Sequence, residues 1–146
     1  CTDIGAASAT DDANKRDLMK SFGESVGMAF QIRDDLLDYD GRKTIIGKPT
    51  GIDIKEKKLT LPLIHALQLG PRKDARQALR IVKNGAKRKD VDWVIDFVKA
   101  TGGIDYALAK AEHYASLARQ NLTPFQESPA KNSLLQFVDF VMERSS

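Results

Sequence analysis

Apolar residues recur at close to helical period through a stretch that no proline interrupts: Leu18, Phe22, Val26 and Phe30, then Leu36 and Leu37. Side chains three and four apart fall on one side of a helix, so such a stripe is most simply buried as one helix face. The spacing predicts a single helix from Ala13 to Tyr39, with Thr10, Asp11 and Asp12 as candidate N-caps. At 1.5 Å per residue it would run for roughly 40 Å, the depth of a domain. Gly23 and Gly27 lie four apart on it and each costs about 1 kcal/mol relative to Ala, so a close helix crossing is expected to compensate.

Beyond this helix the pattern breaks at Gly41, Gly47, Pro49 and Gly51, and the lysine-dense stretch 41–60 reads as an ordered loop or short turns. Pro62 fits the first turn of a helix running to Leu69. Pro71 opens another whose Ala75, Leu79 and Val82 are expected to face inward before Asn84-Gly85 stops it. Asp90 is expected to cap the next, striped by Val91, Val94, Ile95 and Val98 and ended by Gly102-Gly103, with Trp93 as a packing anchor. A long helix from Ile104 to about Asn121 follows. The last, from Pro129 to Arg144, carries Leu134, Leu135, Val138, Val141 and Met142. No segment alternates apolar and polar residues for long enough to be a strand. The expected class is all-α, an antiparallel helical array forming a single helical domain over residues 1–146.

A chain of 146 residues is long enough for one ordinary core. The single cysteine, Cys1, excludes an internal disulfide framework and a thiolate zinc cluster, and two isolated histidines, His65 and His113, offer no replacement ligands. No apolar run approaches the roughly 20 residues of a membrane helix and no targeting signal is visible, so the expected compartment is the cytoplasm. The first residue is not Met, and Ile4 with Ala6, Ala7 and Ala9 reads as the tail of a helix, so a fragment of a longer protein is expected.

The formal charge of +3 is too small to require a polyanionic partner, but it is unevenly spread. Eight basic residues lie between Arg72 and Asp90, with Arg72, Arg76 and Arg80 recurring every four residues. No aromatic residue is interleaved with them, and the apolar companions occupy the other helix face. A solvated outer helix is therefore favoured over binding to nucleic acid or to an anionic membrane.

The chemistry is concentrated in Phe30-Gln31-Ile32-Arg33-Asp34-Asp35-Leu36-Leu37-Asp38. On a continuous helix Asp34 and Asp38 project from one face about 5–6 Å apart at Cβ, with Gln31 a turn earlier. Like charges at this spacing repel, so a cation should offset them. Hard oxygen donors favour Mg²⁺, which is typically shared between one or two carboxylates and substrate phosphates. Lys43, Lys48, Lys55, Lys57 and Lys58 follow within one loop's reach, compact point charges suited to a diphosphate. A solvated acidic face near a helix end is the alternative.

The run FQIRDDLLD followed by GKPTGID and KKLTLPLIHAL resembles the second aspartate-rich region and downstream lysine loop of the trans-isoprenyl diphosphate synthases, particularly the octaprenyl-like polyprenyl members. CTDIGA, the Gly23 to Gly27 stretch and the closing helix are similar as well, so the resemblance covers essentially the whole chain. It implies the C-terminal part of an isoprenoid-synthase-type fold. Asp34 would be the direct Mg²⁺ ligand, with Asp35 and Asp38 binding through water or orienting the metal shell. Lys48 and Lys58 would hold the allylic diphosphate, and Phe30 and Gln31 would line the site near the homoallylic substrate. The implied reaction joins an allylic prenyl diphosphate to isopentenyl diphosphate. The implied parent is a homodimer whose product could bring it into peripheral contact with a membrane.

One departure matters. The family holds its metal cluster between two facing aspartate-rich helices, and the first motif is absent, since Asp11-Asp12 is followed by Lys15, Arg16 and Leu18 where further acids should fall. The chain is therefore expected to be inactive alone. Two other roles stay open at this point: a non-catalytic subunit of a heteromeric prenyl synthase, against which the intact acidic motif argues, and a helical anion-binding module.

Overall fold

The structure, a computed structural model, describes residues 1–39 and 51–143. The expected positions Lys43, Lys48 and Arg144 lie outside the described residues. The described chain is all-α: α1 (Thr2–Ala9), α2 (Ala13–Leu37), α3 (Ile52–Lys55), α4 (Leu61–Leu69), α5 (Arg72–Asn84), α6 (Arg88–Ala100), α7 (Gly103–Leu122) and α8 (Pro129–Glu143). It divides into two compact units, residues 1–33 with those from 110 onward, and residues 34–109.

In the first unit α2 starts where local chemistry places it. The Asp12 carboxylate accepts the backbone N–H groups of Asn14 and Lys15 at 3.0 and 3.2 Å, satisfying two donors that have no partner within the helix. The face that α2 buries departs from the expected stripe at Phe30, and Leu18 and Leu37 are only half-buried. Phe22, Val26 and Ala29 enter a core with Ala115, Ala118 and Leu122 of α7 and Val138 and Val141 of α8, whereas Phe30 is exposed. Continuing from Val26 by three rather than four residues keeps the turn on the inner face, and the small Ala29 leaves room for the alanines of α7. Gly23 meets the expectation of a close crossing, since a Cβ there would collide with the Thr2 side chain on α1. Gly27 does not, because the space around it is open.

In the second unit α4, α5 and α6 pack on one another around Leu63, Ala66, Ala78, Val82, Val91, Val94 and Val98. Pro62 sits in the first turn of α4, where its missing N–H leaves nothing unsatisfied. Ala78 takes the innermost place on α5 that Leu79 was expected to share. Asp90 lies inside α6 rather than at its cap, and its carboxylate accepts the Lys87 N–H at 3.0 Å. The Trp93 ring stacks on Phe97 with centroids 5.8 Å apart, the packing role expected of it.

Candidate functional site

The acidic motif ends α2. The helix closes at Leu37, so Asp38 and Tyr39 form a turn rather than a further helical step. Asp34 is exposed on the last turns of α2 and Asp35 is half-buried. Asp38 lies in the turn just past α2, one step beyond the helix that carries Asp34. Its Oδ1 accepts the N–H of Ile52 at 2.8 Å and its Oδ2 that of Asp53 at 3.0 Å, while its own carbonyl accepts the N–H of Gly51 at 3.0 Å. One residue thus receives three successive donors at the start of α3. Gly51 is required there twice over: its φ of 74° is left-handed, and a Cβ would collide with Val91.

Tyr39 makes a second closure. Its phenol lies 2.6 Å from the hydroxyl of Thr60, in a buried pair at the entrance to α4. Burial, opposed by this hydrogen bond, holds the phenol well above its ordinary value of 10.0. The start of α3 and Thr60 are therefore tied to the end of α2 at two successive positions, Asp38 and Tyr39.

Lys58 lies in the same unit. Its ammonium reaches Glu56 at 2.8 Å and Asp53 at 3.0 Å, and these two hydrogen-bonded carboxylates raise its pKa while the side chain stays half-exposed. Asp53 therefore links Asp38 and Lys58, a role that sequence reading missed although GID lies inside the motif. The carboxyl of Asp38 is pushed above its ordinary 3.8, because burial outweighs the N–H groups of Ile52 and Asp53. Lys57, beside Lys58, adopts a left-handed φ of 63°.

Asp34, Asp35, Asp38 and Lys58 all belong to the second unit; Phe30 and Gln31 lie earlier on α2, in the first. No group of three or more His, Cys, Asp or Glu among the described residues could hold a metal ion by itself. With both oxygens bonded to backbone, Asp38 suits an orienting role better than direct coordination. Asp34 and Asp35 fit Mg²⁺ only in the shared mode, one or two carboxylates completed by water and phosphate. His65 stacks on Tyr106 with centroids 4.0 Å apart, and His113 meets Tyr114 edge-on. An open groove of about 470 Å³ lies in the first unit, lined in part by Thr2, Lys20, Gly23, Glu24 and Phe137, and contains none of the expected site residues. No helix among the described residues is long and apolar enough to cross a membrane.

Comparison with known proteins agrees with the motif. The chain is 36% identical over 126 residues to a short chain isoprenyl diphosphate synthase from Methanothermobacter thermautotrophicus, covering 86% of this chain and 38% of that protein. It is 32% identical over 127 residues to octaprenyl diphosphate synthase from Haemophilus influenzae, covering 87% and 39%. It therefore spans about two fifths of the length of these relatives. Among solved structures, a polyprenyl synthase from Caulobacter crescentus complexed with calcium and isoprenyl diphosphate superposes with a TM-score of 0.86 at 30% identity, over 99% of this chain and 44% of that one. Geranylgeranyl pyrophosphate synthase from Bacteroides thetaiotaomicron gives 0.88 at 32% identity, over 99% and 48%. The polyprenyl synthetase family profile matches residues 1–98, two thirds of the chain and the whole of the aspartate and lysine segment, and the chain belongs to that family.

Proposed function

We propose that the chain is the part of a prenyltransferase that carries the second aspartate-rich motif, in an enzyme condensing an allylic diphosphate with isopentenyl diphosphate into a longer polyprenyl diphosphate. What supports this most directly is the exposed Asp34 carboxylate at the end of α2, in a family whose Caulobacter crescentus member was solved with calcium and isoprenyl diphosphate. Asp34 and Asp35 are the groups that would hold Mg²⁺, and Asp38 orients the segment behind them. When bound, the ion neutralises charge on a diphosphate leaving group.

Lys58 and, outside the described residues, Lys48 hold the allylic diphosphate. An ammonium has three donors, and Glu56 and Asp53 use two at Lys58, so one is left for a phosphate oxygen. Phe30 and Gln31 line the site near the homoallylic substrate. The bond from the allylic carbon to the diphosphate oxygen breaks, the isopentenyl double bond forms the new carbon–carbon bond, and a proton is lost to restore an alkene. Fixed cations aimed at the departing charge are the catalytic device, and no protein nucleophile is needed.

The test is incorporation of labelled isopentenyl diphosphate into butanol-extractable product with Mg²⁺ and farnesyl diphosphate supplied. It compares the 146-residue chain, the natural polypeptide that contains it, and the Asp34→Ala form of that polypeptide. The expected result is no product from the 146 residues alone and loss of most of the activity on Asp34→Ala. An unimpaired Asp34→Ala enzyme removes this carboxylate from the mechanism, and turnover by the 146 residues alone shows that one acidic helix suffices.

A further inference from the structure

The eight cations of the segment from Arg72 to Lys89 are all exposed, and none forms an ion pair among the described residues. Elsewhere Lys15, Lys58, Arg119 and Lys131 each find a carboxylate. At 3.6 residues per turn, Arg72, Lys73, Arg76, Arg80 and Lys83 fall within an arc of about 100° on α5. The opposite side is anchored to the core through the buried Ala78 and Val82, so the basic arc is held outward. Repulsion between Arg72, Arg76 and Arg80 at one-turn intervals opposes the helix and is relieved by no acid on that arc. The arrangement is complementary to an extended negative surface.

A second feature precedes it in the chain. Leu69, the last residue of α4, is 70% exposed and stands three residues before the first arginine. No aromatic ring lies between residues 69 and 89 to stack on a base. An exposed apolar side chain close in sequence to a basic helix face suits the boundary between headgroups and acyl chains.

We propose that the basic face of α5, with the exposed Leu69 just before it in the chain, docks the protein on an anionic lipid bilayer. This inference is independent of the metal and diphosphate reading. It is read by flotation of the natural polypeptide containing these residues, with vesicles of phosphatidylcholine alone or mixed with phosphatidylglycerol. At low ionic strength the protein floats with the mixed vesicles and not with the neutral ones, and it is released near 1 M salt, where the screening length falls to about 3 Å.

Each cation removed from this face lowers partition by roughly fivefold, so Arg72→Gln/Arg76→Gln/Arg80→Gln lowers it about a hundredfold, and Lys73→Gln/Lys83→Gln, the second variant set, about 25-fold. Leu69→Ser weakens binding several-fold without changing its salt dependence. Lys15→Gln/Lys20→Gln on α2 leaves partition unchanged. Equal partition into neutral vesicles overturns the proposal, as does unchanged binding in both arginine and lysine variants. Displacement of the protein from vesicles by an equal charge of double-stranded RNA, through the same arginines, also overturns it and makes the face a nucleic-acid surface.

Discussion

The carboxylate of Asp38 accepts the backbone N–H of Asp53, 3.0 Å away and fifteen residues later in the chain. Together with the Ile52 bond it ties Asp38 to the start of α3 by charge-assisted contacts, which are about twice as strong as neutral ones.

Removing that carboxylate should therefore cost more than an exposed acidic residue would. Asp38→Ala lowers stability in urea denaturation by about 2–3 kcal/mol, because two backbone donors lose their partner, and Asp38→Asn, which keeps one acceptor oxygen, by about 1 kcal/mol. Amide exchange at Ile52 and Asp53 accelerates in both. Unchanged exchange would mean that α3 holds its place without the clamp.

Tyr39 determines behaviour at alkaline pH. Its folded pKa lies above the unfolded value of 10.0, so the unfolded chain releases a proton that the folded chain keeps. Stability contributed by the neutral phenol is present below pH 10.0 and is lost as pH rises through and above it. Tyr39→Phe removes this loss from the alkaline limb and, by leaving Thr60 without its partner, costs about 1 kcal/mol at neutral pH. Tyrosinate absorbance against pH, with denaturation followed in parallel, reads both effects.

Gly23 and Gly27 should respond in opposite directions to the same substitution. Gly27→Ala gains about 1 kcal/mol of helix propensity, since the new methyl meets nothing within 4 Å. Gly23→Ala drives a methyl into Thr2 and lowers stability by about 1–3 kcal/mol. Adding Thr2→Ala to Gly23→Ala recovers part of that loss, and a double-mutant cycle by thermal or urea denaturation measures how much.

Lys57 pays a backbone cost that glycine would not. A left-handed conformation disfavours an L residue by about 1–2 kcal/mol, so Lys57→Gly raises stability by about 1 kcal/mol after the extra chain entropy of glycine is subtracted. A destabilised Lys57→Gly would show that the lysine side chain makes up the difference.

Helix positions were legible in the sequence because they rest on interactions a few residues long. The Asp12 cap, Pro62 in the first turn of α4 and the apolar period of α6 all act within one or two turns, and α2, α4, α5, α6, α7 and α8 lie close to where those signals put them. The family was legible too, since the aspartates and lysines of the motif are spaced along a single continuous segment. The place of Phe30 was not, because a 3.6-residue period allows steps of three or four, and only the alanines of α7 decide that Ala29 turns inward.

What the tertiary structure alone decided is where side chains find partners far along the chain. Asp38 reads as one more carboxylate on an acidic helix until the chain returns at Ile52 and Asp53, and Tyr39 reads as an apolar helix end until Thr60 comes within 2.6 Å. Gly23 and Gly27 are equivalent letters four residues apart, separated only by the arrival of Thr2 at one of them. Local sequence sets backbone propensity through short-range sterics and hydrogen bonds. Which carboxylate stays exposed on α2 and which becomes a backbone anchor depends on contacts that exist only once the chain has folded back on itself.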